Sequence, residues 1–268
     1  MKKTIHDTII VARYDLIMFF RYKSNLVWLV TTPIVFMFIG MILLNVMGVD
    51  RFTEFSGGTS KGALYSLIGY GVFSLANYCW QAGSKMEQEM LLGTMKTNFL
   101  LPVKRLSYVY GLCFGTLCST GIFAVIILII AAILARPKLE NLGYILLALG
   151  LSILYFLGIA VIMCSVSLRY KRISGLANLL TFVLQLITGM MIPIPAFPPL
   201  LQRICYLSPT TWAIDSIRSG LVGTKPLIPQ MQELLILLVA CIFSNLLGWY
   251  LFKSAEVSIS ENGEIEAY

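Results

Sequence analysis

Residues 107–134 read SYVYGLCFGTLCSTGIFAVIILIIAAIL and contain no charged side chain. A helix that crosses the hydrocarbon core of a bilayer needs about 20 consecutive, mostly apolar residues. This stretch exceeds that length without an interruption. It therefore predicts a transmembrane helix.

Similar apolar blocks occur along the whole chain of 268 residues, of which 58% are hydrophobic and 12% charged. Soluble proteins carry about 25% charged residues. No block has a charged residue in its interior, and Glu233 lies only at the edge of the last one. We predict an all-α, polytopic membrane protein that forms one transmembrane domain over residues 1–268. Its six predicted transmembrane helices are 27–48, 62–84, 107–134, 142–168, 174–192 and 232–252.

The distribution of basic residues predicts the orientation. Most of the 20 Lys and Arg residues fall in segments that face the cytoplasm if the N-terminus is inside, as cytoplasmic loops usually require. We therefore expect both termini to be cytoplasmic and the protein to lie in the plasma (inner) membrane. The net charge of +7 is explained by this bias and by affinity for anionic membrane lipids. No basic block is interleaved with aromatic residues, so nucleic acid is not a predicted partner.

The segments outside the spans also carry helical patterns. Residues 1–26 predict an amphipathic helix in the inner interface, which either anchors the first span or serves in docking. Residues 193–231 form a long outer connection in which prolines end the fifth span and two short apolar helices follow, over 200–207 and 208–220. These helices are too short to span, so we expect them to be re-entrant and packed against the protein. Residues 253–268 are expected to be a cytoplasmic tail.

The second short helix is a candidate for the outer exit of a transport path. Ser208 and Pro209 are typical of a helix start, and Gly220 of a helix end. Asp215 and Arg218 are spaced to pair on one face. We expect a buried cap over the outer mouth, formed by Pro209, Trp212, Asp215 and Arg218.

Several classes of function are excluded by what the sequence lacks. The span interiors contain no ionisable side chain, which proton-driven transporters and intramembrane enzymes need at depth. No Gly-x-x-x-x-Gly-Lys-Ser/Thr loop is present, so the chain is not expected to bind ATP itself. No metal-type cysteine spacing occurs, and we predict neither a metal site, a catalytic residue nor a cofactor on this chain. A passive channel, a membrane scaffold or lipid-modifying protein, and a subunit powered by a partner remain possible.

Residues 85–106, KMEQEMLLGTMKTNFLLPVKRL, form a charged amphipathic segment between the second and third spans. On a helix Glu87 and Glu89 do not share a face, and we expect their carboxylates in water or against a partner. Gly93 permits a kink or a close approach. This pattern favours a docking site on the cytoplasmic side. The alternative is a solvated loop whose glutamates balance Lys85 and Lys96.

This segment resembles the cytoplasmic helix of the type-two ATP-binding-cassette (ABC) exporter permeases, which carry Glu-x-Glu-x-x-x-Gly-Thr followed by a proline. The similarity extends to the six-span plan and to the outer stretch 207–218. One departure is Lys96, where the family often has Glu, so a coupling salt bridge is absent or reversed. The residues that the resemblance assigns to ATPase coupling are Glu87, Glu89, Leu92, Gly93, Thr94 and Pro102.

The resemblance implies a separate cytoplasmic ABC ATPase that holds ATP and Mg, and a second permease copy in a homodimer. It also implies export of an amphiphilic substrate, such as a drug, a peptide antibiotic or a lipid-linked glycan. In this mechanism, ATP binding moves residues 87–94 and tilts the second and fifth spans apart. A passive channel is the weaker alternative because its polar or charged pore rings are missing from the sequence.

Polar and aromatic side chains inside the spans are candidates for the substrate path or its gate. The polar ones either join helices through hydrogen bonds or line a path. The aromatic ones lie too deep for an interfacial belt. The candidates are Asn45, Tyr70, Phe73, Asn77, Asn178 and Gln185.

Overall fold

The computed structural model describes residues 20–56, 61–95, 105–137 and 139–262, together with positions 10, 13 and 17. This part of the chain is helical and contains no strand. Its α-helices are α1 (Lys23–Met47), α2 (Val49–Phe55), α3 (Gly62–Leu91), α4 (Arg105–Ala135), α5 (Leu142–Tyr170), α6 (Ser174–Ile187), α7 (Pro199–Leu207), α8 (Pro209–Val222) and α9 (Gln230–Asn262). Two short 3-10 helices lie at Leu139–Asn141 and Ile194–Ala196. The predicted interface helix lies largely outside the described residues, and Pro102 lies wholly outside them.

Four of the described helices are long and apolar enough to cross a membrane. They match four of the predicted spans, and their membrane-compatible parts are Val30–Met47, Arg105–Ala135, Leu142–Tyr170 and Gln230–Val257. The predicted span 62–84 lies within α3, which is about 45 Å long. Polar residues keep α3 out of this group of four, and most of its side chains are buried inside the bundle.

The predicted fifth span, 174–192, is wrong in its extent. Helix α6 ends at Ile187 and is about 21 Å long, which is short for a hydrocarbon core of about 30 Å. The chain turns at Thr188, and Gly189 has a φ of +67°, a conformation that favours glycine. The apolar composition therefore continues beyond the point where the helix stops.

The two short helices predicted before the last span are present as α7 and α8. Helix α8 ends at Val222 rather than Gly220, and Gly223 adopts the left-handed conformation that ends it (φ +74°). Gly220 has a packing role instead, because a Cβ atom there would lie 2.5 Å from Cγ1 of Ile145. Every residue from 210 to 221 is buried, so α8 is an internal element that packs against α3, α5 and α9.

Small residues bring α5 and α9 into close contact along their length. A Cβ atom at Gly158 would lie 2.7 Å from the backbone nitrogen of Asn245 and would also meet the Ser244 hydroxyl. The amide of Asn245 donates to the carbonyl of Leu154 at 2.9 Å, and Ser244 donates to that of Tyr155 at 3.2 Å. Such small and polar contacts are typical of helix pairs in membranes, where lipid supplies no hydrophobic drive for association.

Candidate functional site

The predicted coupling segment begins as a continuation of α3. The helix runs past the predicted end of the span to Leu91, and Gly93 interrupts it with a φ of +68°. Thr94 donates its hydroxyl to the carbonyl of Glu89 at 3.2 Å. Glu87 and Glu89 are therefore held on the last turns of a long helix of the bundle.

Glu87 is buried, and its carboxylate binds another helix of the same chain. It accepts hydrogen bonds from the backbone N–H groups of Ile173 (2.9 Å) and Ser174 (2.8 Å) and from the Ser174 hydroxyl (3.2 Å). The side chain is 6% exposed. Our expectation of a carboxylate in water or at a partner surface was wrong for Glu87, because the first turn of α6 supplies unpaired N–H donors that a carboxylate caps well.

Glu89 turns to a different helix, as expected for two glutamates that do not share a face. Its carboxylate accepts a hydrogen bond from the Tyr108 hydroxyl of α4. Lys85, one turn earlier, donates to the Thr116 hydroxyl of the same helix at 3.3 Å. The solvated-loop alternative does not fit these contacts.

The surface that this segment leaves open is partly apolar. Leu91 is 48% and Leu92 is 76% exposed, and Gln88 and Thr94 are also exposed. The arrangement presents two leucines on a short turn that is anchored from behind by Glu87 and Glu89.

The opposite end of the bundle holds the residues predicted for the outer exit. Pro209 occupies the first turn of α8. Trp212 is buried as predicted, donates its indole N–H to the carbonyl of Tyr206 at 2.9 Å, and stacks on that ring with centroids 5.7 Å apart. These contacts fold α7 back onto α8.

Asp215 and Arg218 are both buried, but the predicted pair between them was wrong. Asp215 accepts a hydrogen bond from the backbone N–H of Leu227 at 2.9 Å. Arg218 donates through Nη2 to three carbonyls, those of Tyr65 (3.3 Å), Gly189 (3.2 Å) and Met190 (3.2 Å). Its guanidinium also lies 3.5 Å over the Tyr65 ring. Sequence spacing could not reveal these partners because they are distant in the chain.

Glu233 is a buried residue that links three helices through hydrogen bonds, and the sequence did not predict this role. It has no solvent exposure and accepts hydrogen bonds from the hydroxyls of Tyr144 (2.7 Å) and Ser216 (3.0 Å). These bonds join the first turns of α5 and α9 to the middle of α8. The signal in the sequence was an acidic residue in the first turn of an otherwise apolar helix, which we read as a span edge.

The candidate path residues are divided between the core and the bundle surface. Phe73 is a buried core residue, and Tyr70 stacks on Phe36 of α1 with ring centroids 4.1 Å apart. Those at or near the surface are Asn45 and Asn178, which are exposed, and Asn77 and Gln185, which are half-buried. The six therefore do not line one internal path within the subunit.

Gln185 lies beside an apolar cavity of about 270 Å³ near the end of α6. Leu201 and Cys205 of α7 also line this cavity.

Comparison with known proteins identifies the family of this chain. Residues 6–222 match the model of the family described as ABC-2 type transporter. The chain belongs to this family. The capsule polysaccharide export inner-membrane protein CtrC of Neisseria meningitidis serogroup B (strain ATCC BAA-335 / MC58) is similar to this ABC-2 chain, with 21% identity over 220 residues. The alignment covers 80% of this chain and 76% of that protein.

Family membership confirms the resemblance drawn from residues 87–102. As an ABC-2 permease, the chain is the membrane-spanning subunit of an ATP-driven exporter and a multi-pass inner-membrane protein. In this family the ATPase site is not on the permease subunit.

Proposed function

We propose that this permease exports a lipid-linked glycan, powered by a separate cytoplasmic ABC ATPase that binds ATP and Mg. The observation that carries the proposal is the turn at the end of α3. Glu87 and Glu89 hold it rigidly from the inside, while Leu91 and Leu92 face outward where a partner can bind. An exposed apolar pair on an anchored turn suits a surface that receives force from a partner.

The glycan assignment is favoured over a drug or a peptide by the relative in Neisseria meningitidis, whose name assigns it to capsule polysaccharide export. Helix α6 also presents a broad apolar face on the bundle surface, including Leu179 and Phe182. Such a face suits the lipid portion of an amphiphilic substrate or a second copy of the chain. We propose a homodimer in which the path forms between copies, because the candidate path residues do not enclose one alone.

We propose six crossings within one domain, with α6 and its following turn as the shortest, and both termini in the cytoplasm. The contacts of α8 support this plan. Arg218 reaches Tyr65 near the start of α3, Gly220 packs on Ile145 near the start of α5, and Ser216 bonds Glu233 near the start of α9. Glu87 meets the start of α6 at the opposite end of the bundle. Helices that alternate in direction in this way fit a chain that crosses repeatedly.

Co-purification of the ATPase tests the role of the turn. Leu92→Ser removes the most exposed leucine of the segment, and we expect it to abolish recovery of the ATPase with tagged permease. Leu207→Ser is the matched control, because Leu207 is 83% exposed but lies at the other end of the molecule. Equal recovery from the two variants would contradict the docking role.

A further inference from the structure

Helix α6 has few neighbours along its length. It packs mainly against α3 through a small apolar group that includes Trp80 and Ala177. Its other faces are exposed, with Leu176 at 49%, Leu179 at 61% and Phe182 at 63% exposure. The contacts that fix the position of α6 therefore lie mostly at its two ends.

A buried negative charge holds the first end. The Glu87 carboxylate accepts hydrogen bonds from the backbone N–H groups of Ile173 and Ser174 at the start of α6, and from the Ser174 hydroxyl. The N-terminus of a helix carries a partial positive charge, which favours this carboxylate. Because Glu87 belongs to α3, this contact ties the inner end of α3 to the start of α6.

A buried positive charge holds the second end. Arg218 donates to the carbonyls of Gly189 and Met190, directly beyond the C-terminus of α6, where a cation is favoured. The same nitrogen donates to the carbonyl of Tyr65, and the guanidinium covers the Tyr65 ring. Tyr65 lies near the outer start of α3. Gly69 leaves the space for this contact, since a Cβ atom there would lie 2.6 Å from Arg218 Nη2.

We infer that α3 and α6 move as one rigid body, held together at both ends by Glu87 and Arg218. The consequence of this inference rests on the proposed function. When the ATPase displaces residues 88–95, the outer turn at 188–190 moves with them, and the bundle does not bend. Separating the two helices would leave two buried charges without partners, which is strongly unfavourable. The mechanism expected from the sequence, in which the second and fifth spans tilt apart, is replaced by one in which they travel together.

The permease alone, in nanodiscs of phosphatidylethanolamine and phosphatidylglycerol, tests the attachment. Spin labels at Gln81→Cys of α3 and Leu176→Cys of α6 occupy exposed positions on the two helices. Cys118→Ser removes the one partly exposed cysteine among the described residues, and labelled copies are diluted with unlabelled ones. We expect a narrow distance distribution between the labels. Glu87→Ala and Arg218→Met should broaden and lengthen it, whereas Glu89→Ala, which loses a bond to α4 instead, should not.

Hydrogen exchange in the same samples gives a second measurement. Amides of residues 173–187 should exchange about tenfold faster in Glu87→Ala, because a bond to a charged acceptor is lost. Should that variant fail to fold, Glu87→Gln keeps the shape while removing the charge. Distance distributions and exchange rates that match those of Glu89→Ala would overturn the inference.

The complete complex separates this inference from the proposed function. With ATP and Mg added, the distance between labels 81 and 176 should stay constant, while the distance between the two copies of label 176 should change. A change of similar size in both distances would overturn the rigid pair. If neither distance responds to nucleotide, the proposed function fails, and the measurements on the permease alone still decide whether the helices are held together.

Discussion

The hydroxyl of Tyr144 donates to Oε2 of Glu233 across 2.7 Å and joins the first turn of α5 to that of α9. Ser216 of α8 donates to the same oxygen at 3.0 Å. A fully buried carboxylate thus organises three helices at one end of the bundle. Removal of the Glu233 carboxylate, or of either hydroxyl that donates to it, should affect all three helices.

Tyr144→Phe should lower the free energy of unfolding by about 2 kcal/mol, because a buried carboxylate loses a hydrogen bond. Tyr250→Phe is the matched control, since Tyr250 is 65% exposed. Denaturant titration of the two purified variants in the same detergent measures the difference. Equal stabilities would show that the Tyr144 bond does not hold the first turns of α5 and α9 together.

Glu87→Ala should destabilise the protein by about 2 kcal/mol through the loss of charge-assisted hydrogen bonds to the start of α6. Gln88→Ala changes the exposed neighbour and should leave stability within about 0.5 kcal/mol of the parent protein. Thermal unfolding followed by intrinsic fluorescence compares them. If Glu87→Ala is as stable as Gln88→Ala, the carboxylate is not a structural cap.

Two glycines of α5 provide a paired test of helix packing. Gly158→Ala places a Cβ atom against Ser244 and Asn245, which should cost about 1–3 kcal/mol. Gly150→Ala has no atom within 4 Å of the added Cβ and should be stabilising by up to about 1 kcal/mol through helix propensity. If both substitutions change stability in the same direction by the same amount, α5 and α9 do not pack closely at Gly158.

Thiol labelling tests the topology. A cysteine at Lys225, which is exposed in the loop after α8, should react with a membrane-impermeant maleimide in intact cells. A cysteine at Asn262, the last residue of α9, should react only after the cells are permeabilised. Native Cys205 gives little background because it is buried, and burial raises the pKa of its thiol. Labelling of position 262 in intact cells would reverse the proposed orientation of the C-terminus.

The lengths of the apolar blocks and the residues typical of helix ends predicted much of the fold. Residues 107–134 indicated a membrane helix because composition alone decides such a case. Pro209 marked the start of α8 because proline suits the first helical turn. The apolar composition of residues 188–192 predicts that they continue the fifth span, but α6 ends at Ile187 and the chain turns at Thr188 and Gly189.

The partners of the buried charges could not be predicted. Glu87 binds Ser174, and Arg218 binds the carbonyl of Tyr65, and both contacts depend on how distant parts of the chain meet in space. A glutamate beside a lysine at the end of a membrane helix has the pattern of a solvated group. The packing of α6 onto α3 instead buries Glu87, so its carboxylate caps the first turn of α6.

The proposed export is tested most directly by ATP-dependent movement of a lipid-linked oligosaccharide in proteoliposomes that contain the permease and its ATPase. We expect transport that requires ATP and Mg, is lost in Leu92→Ser and is retained in Leu207→Ser. Transport that proceeds without the ATPase, or that is equal in the two variants, would contradict the proposed export.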